Sequence, residues 1–127
     1  MRPLIAAFAG GLFCLLASSA LAQTKAPESA ETTKGTALVD VNGMTLYVFD
    51  RDSAGKSNCN AECAIDWPPL IADTDAQASG SFSFITRQDG RKQWAYKGKP
   101  LYTWTKDKEP GEATGDGVNH LWHVAVP

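Results

Sequence analysis

Histidine and methionine are scarce in this chain, two of each in 127 residues, and cysteine occurs three times. A metal centre built from imidazole or soft sulfur ligands has little to draw on. Basic excess is missing too: 12 Lys and Arg stand against 14 Asp and Glu, a formal net charge of −2. A nucleic-acid partner, which asks for a clustered basic face, is therefore not expected. No Gly-x-Ser-x-Gly, no phosphate-cradling glycine loop and no serine beside a plausible base occurs, so an enzyme has little to rest on. After the first 22 residues no apolar run approaches the roughly 20 residues that a membrane helix needs.

What is present begins with an export signal. Arg2 precedes an apolar run from Leu4 to Leu16, and small residues end in Ala20-Leu21-Ala22 before Gln23. This is the grammar of a cleavable signal peptide spanning residues 1–22, cut after Ala22. Cys14 follows Leu12 and Phe13 inside the run, whereas lipoprotein processing asks for small residues just before its cysteine, so a lipid anchor is not expected. The mature chain is read as soluble and periplasmic or secreted. Loss of Arg2 brings its net charge to −3, and its cysteines are Cys59 and Cys63 alone. In an oxidising compartment these two pair. One helical turn through Asn60-Ala61-Glu62 would set their Cα atoms about 6 Å apart, within disulfide reach.

Residues 23–35, small and polar up to Lys34, read as a disordered leader. A single domain then follows over 36–127. Leu38 to Val41 and Met44 to Phe49 flank Asn42-Gly43, a strong hairpin signal. Phe82–Thr86, Gln93–Tyr96 and Leu101–Trp104, punctuated by Asp89-Gly90 and Lys97-Gly98, predict a three-stranded meander. Pro100 marks the start of its last strand as an edge.

The two regions are copies. At a constant offset of 55 residues Gly43 meets Gly98, Leu46 meets Leu101 and Tyr47 meets Tyr102; Phe49 meets Trp104, Asp52 meets Asp107 and Trp67 meets Trp122. Repeats of about 36–72 and 81–127 follow. The expected fold is all-β, a small domain of two pseudo-symmetric repeats with about seven short strands and a helical turn at the cysteines. Its apolar faces are buried between the halves.

Tyr47-Val48-Phe49-Asp50-Arg51-Asp52 and Tyr102-Thr103-Trp104-Thr105-Lys106-Asp107 resemble the bacterial secreted-repeat family, often predicted lipoproteins, with the motif Y-x-[F/W/Y]-x-x-D. The segment from Cys59 to Leu70 is similar to that family's cysteine pair followed by Trp-Pro-Pro. The resemblance covers the mature chain and implies an exported repeat domain, with no particular reaction or ligand.

The motif residues Tyr47, Phe49, Asp52, Tyr102, Trp104 and Asp107 are the candidate ligand site. Strand periodicity puts Tyr47 with Phe49, and Tyr102 with Trp104, on one face, where core is the ordinary role. Asp52 and Asp107 just past those strands read as clamps on backbone amides; the sharper alternative is a carboxylate pair lining one cleft for a cation or basic ligand. The run from Asp50 is no EF-hand, because Ala54 and Ala61 stand where oxygen ligands belong. Cys59 and Cys63 read as a staple, with thiol redox chemistry as the alternative. His120 and His123 are weak metal candidates; on a strand they would point to opposite faces. Trp67 and Trp122 read as core and Trp94, matching Val39, is uncommitted. No cofactor is expected, and the partner is an envelope protein or a small ligand. The function expected is a non-catalytic binding or interaction module of the cell envelope, against the alternative of a periplasmic metal-handling or thiol-redox protein.

Overall fold

The computed structural model describes residues 22–127; the signal segment with Arg2 and Cys14 lies outside them. The regular elements of the described chain are nearly all strands. β1 is Ala22–Gln23, β2 Glu28–Thr32, β3 Gly35–Val39, β4 Tyr47–Phe49, β5 Ile71–Ala72, β6 Phe82–Thr86, β7 Lys92–Tyr96, β8 Lys99–Pro100 and β9 Trp122–Val124. A five-residue helix α1, Glu62–Asp66, and a 3-10 turn at Val118–His120 complete it. β1, β5, β7 and β6 form one sheet in that order, with β8 also on β7; β2 pairs with β3, and β4 with β9. β7 has neighbours along both edges, so Gln93, Trp94 and Ala95 are all fully buried in succession.

The all-β fold of two repeats stands as expected, and several details differ. Residues 23–35 are not a disordered leader. β2 pairs with β3 from Glu28↔Val39 to Thr32↔Gly35. Gln23 is buried, its carbonyl accepting from Trp94 Nε1 at 3.1 Å and from the Asp73 amide at 3.0 Å. Small polar side chains there hide the ordering because main-chain hydrogen bonds and a single amide side chain supply it. Among the described residues nine strands replace about seven, two-residue strands being invisible to periodicity.

The turn at Asn42-Gly43 forms, but it joins β3 to only one bridged pair, Val39↔Thr45, before the chain leaves for β9. Likewise the last meander strand is Lys99–Pro100; Tyr102 has left that sheet to bridge Tyr47 and Pro69.

Those departures are the fold's organising feature. The Leu46 amide donates to Leu38 O at 2.9 Å, and the Leu101 amide to Trp94 O at 3.0 Å. Leu38 N reaches Ala125 O, and Trp94 N reaches Leu70 O, both at 2.8 Å. Ala125 N returns to Leu46 O, and Leu70 N to Leu101 O. Each repeat's closing segment thus pairs with the other repeat. Tyr47 and Tyr102 exchange amide-to-carbonyl bonds of 2.8 and 3.0 Å, so the pseudo-two-fold axis passes between them. These bonds make Trp94 the counterpart of Leu38 rather than Val39. The paired residues Phe84 and Trp94 enclose nine residues where Ser29 and Leu38 enclose eight, which shifts the offset locally.

Two apolar clusters straddle this axis. One holds Leu38, Leu46, Leu70, Trp94, Leu101 and Ala125. The other holds Tyr47, Cys59, Trp67, Tyr102 and Trp122. Truncating a fully buried Leu46 or Leu101 to alanine would cost about 2–5 kcal/mol.

Candidate functional site

β4 and the 102–104 segment carry the repeated motif into the second cluster, where its rings assemble about the axis. Trp67 and Trp122 stack with centroids 3.8 Å apart and planes parallel. Phe49 stacks on Trp122 at 4.2 Å and Trp104 on Trp67 at 4.0 Å, so each motif aromatic covers the other repeat's tryptophan. Tyr47 and Tyr102 meet the edges of Trp67 and Trp122 at 5.4 and 5.1 Å. Gly115 closes the stack: a Cβ there would come within 2.8 Å of Trp67 and 3.0 Å of Trp104 and Tyr47.

The polar ends of the motif cross in the same way. The Tyr47 hydroxyl donates to Asp107 Oδ2 at 2.6 Å and accepts the Gly115 amide at 3.1 Å. The Tyr102 hydroxyl donates to Asp52 Oδ2 at 2.7 Å and contacts Ser57 Oγ at 2.6 Å. The remaining oxygens hold their own loops, Asp52 Oδ1 accepting the Asn58 amide and Asp107 Oδ1 accepting both the amide and the hydroxyl of Thr114. The six motif residues are therefore brought together, while the two carboxylates share no hydrogen-bond partner among the described residues.

Burial holds both phenols well above their ordinary pKa, with the carboxylate beside each adding to the effect. Burial also raises Asp52, against the pull of the Asn58 amide, the Tyr102 hydroxyl and the Arg87 charge.

Arg87 escaped the sequence reading. Placed by the β6–β7 hairpin and buried, its guanidinium donates to Ser57 Oγ and Gln93 Oε1 through Nη1, at 3.1 and 2.7 Å. Nη2 donates to Cys59 O and Asn60 Oδ1 at 2.8 and 3.1 Å. Its Nε is buried with no hydrogen-bond partner among the described residues. The nearest sequence signal was its place beside the Asp89-Gly90 turn, which marks a loop rather than an interior. Gly115 gave no signal either, since a glycine in a polar stretch reads as a turn.

Cys59 and Cys63 are joined, with Cα atoms 5.2 Å apart. The helical turn starts later than expected, at Glu62, because Ala61 has a positive φ of 53° and stands outside it. His120 is exposed in the 3-10 turn, and His123 on β9 has Nε2 2.8 Å from Asp50 Oδ2. Among the described residues no group of three or more His, Cys, Asp or Glu is placed to hold a metal ion. None of their helices is long and apolar enough to cross a membrane.

Residues 28–71 and 83–126, the two interlocked copies, each match the family described as a secreted repeat of unknown function. The chain belongs to that family. The first match begins at β2, so this secreted repeat includes the hairpin strand that composition alone hides. No curated protein and no solved structure matches the chain.

Proposed function

We propose that this secreted-repeat protein is a non-catalytic binding or interaction module of the bacterial cell envelope, periplasmic once cleavage after Ala22 has freed it. The observation that carries this reading is the crossed clasp. The motif's hydroxyls and carboxylates bond one another and adjoining loops, and Tyr47, Tyr102 and Asp107 are buried. A general acid or base has to reach a substrate proton, and groups spent in this way do not. The repeat motif is thus a device for locking two copies together, and recognition falls to the surface that the locked scaffold displays.

The test is native mass spectrometry of the mature protein taken from the periplasm without chelator, against the same sample denatured and alkylated. The module reading expects a chain beginning at Gln23 and carrying no alkyl group, with any extra native mass being an organic ligand or partner. A stoichiometric metal mass or alkylated cysteines would replace it with the metal-handling or thiol-redox alternative.

A further inference from the structure

The two repeats present unlike sheet edges, and each serves as the other's control. β6 lies at the end of its sheet, beyond β7. In an antiparallel ladder successive residues turn their amide and carbonyl alternately toward the partner strand and away from it. Trp94, which stands opposite Phe84, commits its amide to Leu70 O and its carbonyl to Leu101 N, on the far side of β7. Phe84 therefore faces its own amide and carbonyl outward, and so do Phe82 and Thr86, two residues to either side. Phe82 exchanges both groups with Ser79, at 2.9 and 3.1 Å. The amides and carbonyls of Phe84 and Thr86 have no hydrogen-bond partner among the described residues.

β2, the equivalent strand of the first repeat, is closed along the same edge. The offset of 55 sets Pro27 against Phe82, Ser29 against Phe84, Glu31 against Thr86 and Thr33 against Gln88. Pro27 has no amide to offer. Thr33 N donates to Gly111 O at 3.0 Å, which brings the 109–112 turn onto the edge, and a Cβ on Gly111 would lie 3.8 Å from Glu31 O. Exposed Glu28 and Glu31 charge the strand between.

Proline, charge and a covering loop are devices that keep a sheet edge from pairing with another chain. β6 has none of the three. Residues 76–86 carry no charged side chain and no proline. The 53–56 turn docks on Gly98 as the 109–112 turn docks on Gly43, yet no main-chain bond joins it to Gln88.

We propose that the open edge of β6 is a self-association surface, on which two copies of this chain pair antiparallel with Ile85 at the two-fold axis. In that register Phe84 and Thr86 of one copy exchange amide-to-carbonyl bonds with Thr86 and Phe84 of the other, which uses every free group on the edge. Each Phe84 ring then stands across from a threonine, a favourable cross-strand pair. The two sheets become one, in the order β1-β5-β7-β6-β6-β7-β5-β1. A second copy is the occupant that this edge fits, because an uncharged strand does not repel its own kind and carries no charge by which a foreign partner would be selected. The contact is isologous and closes at two copies. This inference goes beyond the module reading and does not depend on a ligand.

The experiment is sedimentation velocity of the mature chain from micromolar to millimolar concentration, with amide hydrogen exchange measured at both ends of the range. A reversible monomer–dimer equilibrium is expected, with exchange at the Phe84 and Thr86 amides slowed at least about tenfold in the dimer. Thr86→Pro removes an outward amide at an edge position where β7 loses no bond. Thr86→Lys puts a second ammonium on the edge beside Lys92, which pairs with that position. Each should weaken dimerisation at least about tenfold while the near-ultraviolet circular dichroism of the ring stack is unchanged. A monomer throughout, a dimer whose Phe84 and Thr86 amides exchange as in the monomer, or a dimer of full strength in both folded variants overturns the surface. A foreign polypeptide held on that edge in periplasmic protein overturns self-pairing while the module reading stands.

Discussion

The Tyr47 hydroxyl lies 2.6 Å from the carboxylate of Asp107, sixty residues away in the other repeat, and not beside Asp52 of its own motif copy. Tyr102 and Asp52 repeat the exchange at 2.7 Å. A motif that looks like a local unit in each copy is thus a pair of cross-links between copies, each made where burial strengthens a hydrogen bond to a charged acceptor.

Crossed pairing makes a prediction that parallel pairing would not. Tyr47→Phe and Asp107→Asn should each lower stability by about 1–3 kcal/mol, and the double variant by clearly less than their sum. Tyr47→Phe combined with Asp52→Asn should be close to additive. Urea unfolding midpoints of the four variants decide it, and strong coupling inside one motif copy with none across copies would refute the clasp.

Arg87 should resist its conservative replacement. Its fork reaches four acceptors on two separate segments, the 57–60 loop and β7, a span that a single ammonium does not match. Arg87→Lys is expected to cost about 2–3 kcal/mol, because buried oxygens lose charged donors. Near-wild-type urea stability in that variant would show the network to be idle.

The disulfide closes a short ring in one repeat only, so its loss should be tolerated. Cys59→Ser with Cys63→Ser is expected to cost about 2 kcal/mol by loop-closure entropy while the fold persists. Near-ultraviolet circular dichroism checks that the Trp67–Trp122 stack survives; loss of that signal would make the bridge essential rather than supporting.

Alkali should unfold this domain before it ionises the clasp. The folded state holds Tyr47 and Tyr102 above the ordinary phenol pKa of about 10. A raised folded pKa contributes stability that is complete below pH ~10 and is lost as pH rises above it, where the unfolded chain releases the proton first. Tyrosinate absorbance from these two residues should therefore appear together with loss of the ring-stack signal. Ionisation of both in an intact fold near pH ~10 would contradict the buried geometry.

Much of this architecture was legible in the residues. The constant offset of 55 residues revealed the duplication, and turn chemistry located the hairpins. The four-residue spacing of the cysteines permitted the observed bridge. Each is a relation between residue types at fixed separations, which a linear text carries intact. Composition misled at residues 23–35, where order comes from main-chain pairing and from the Gln23 side chain, neither of which needs apolar residues.

The sequence by itself determined that there are two copies and which side chains recur in them. Only the tertiary structure decided which copy each side chain answers to: Tyr47 to Asp107, Phe49 to Trp122, Leu38 to Ala125. It also decided that the outer edge of β2 is closed at Thr33 while that of β6 stays open at Phe84 and Thr86. The reason is physical. A repeat's pattern is the same whether it closes on itself or on its neighbour, and the choice is made by the joint burial of both copies around one axis, a property that neither copy has alone.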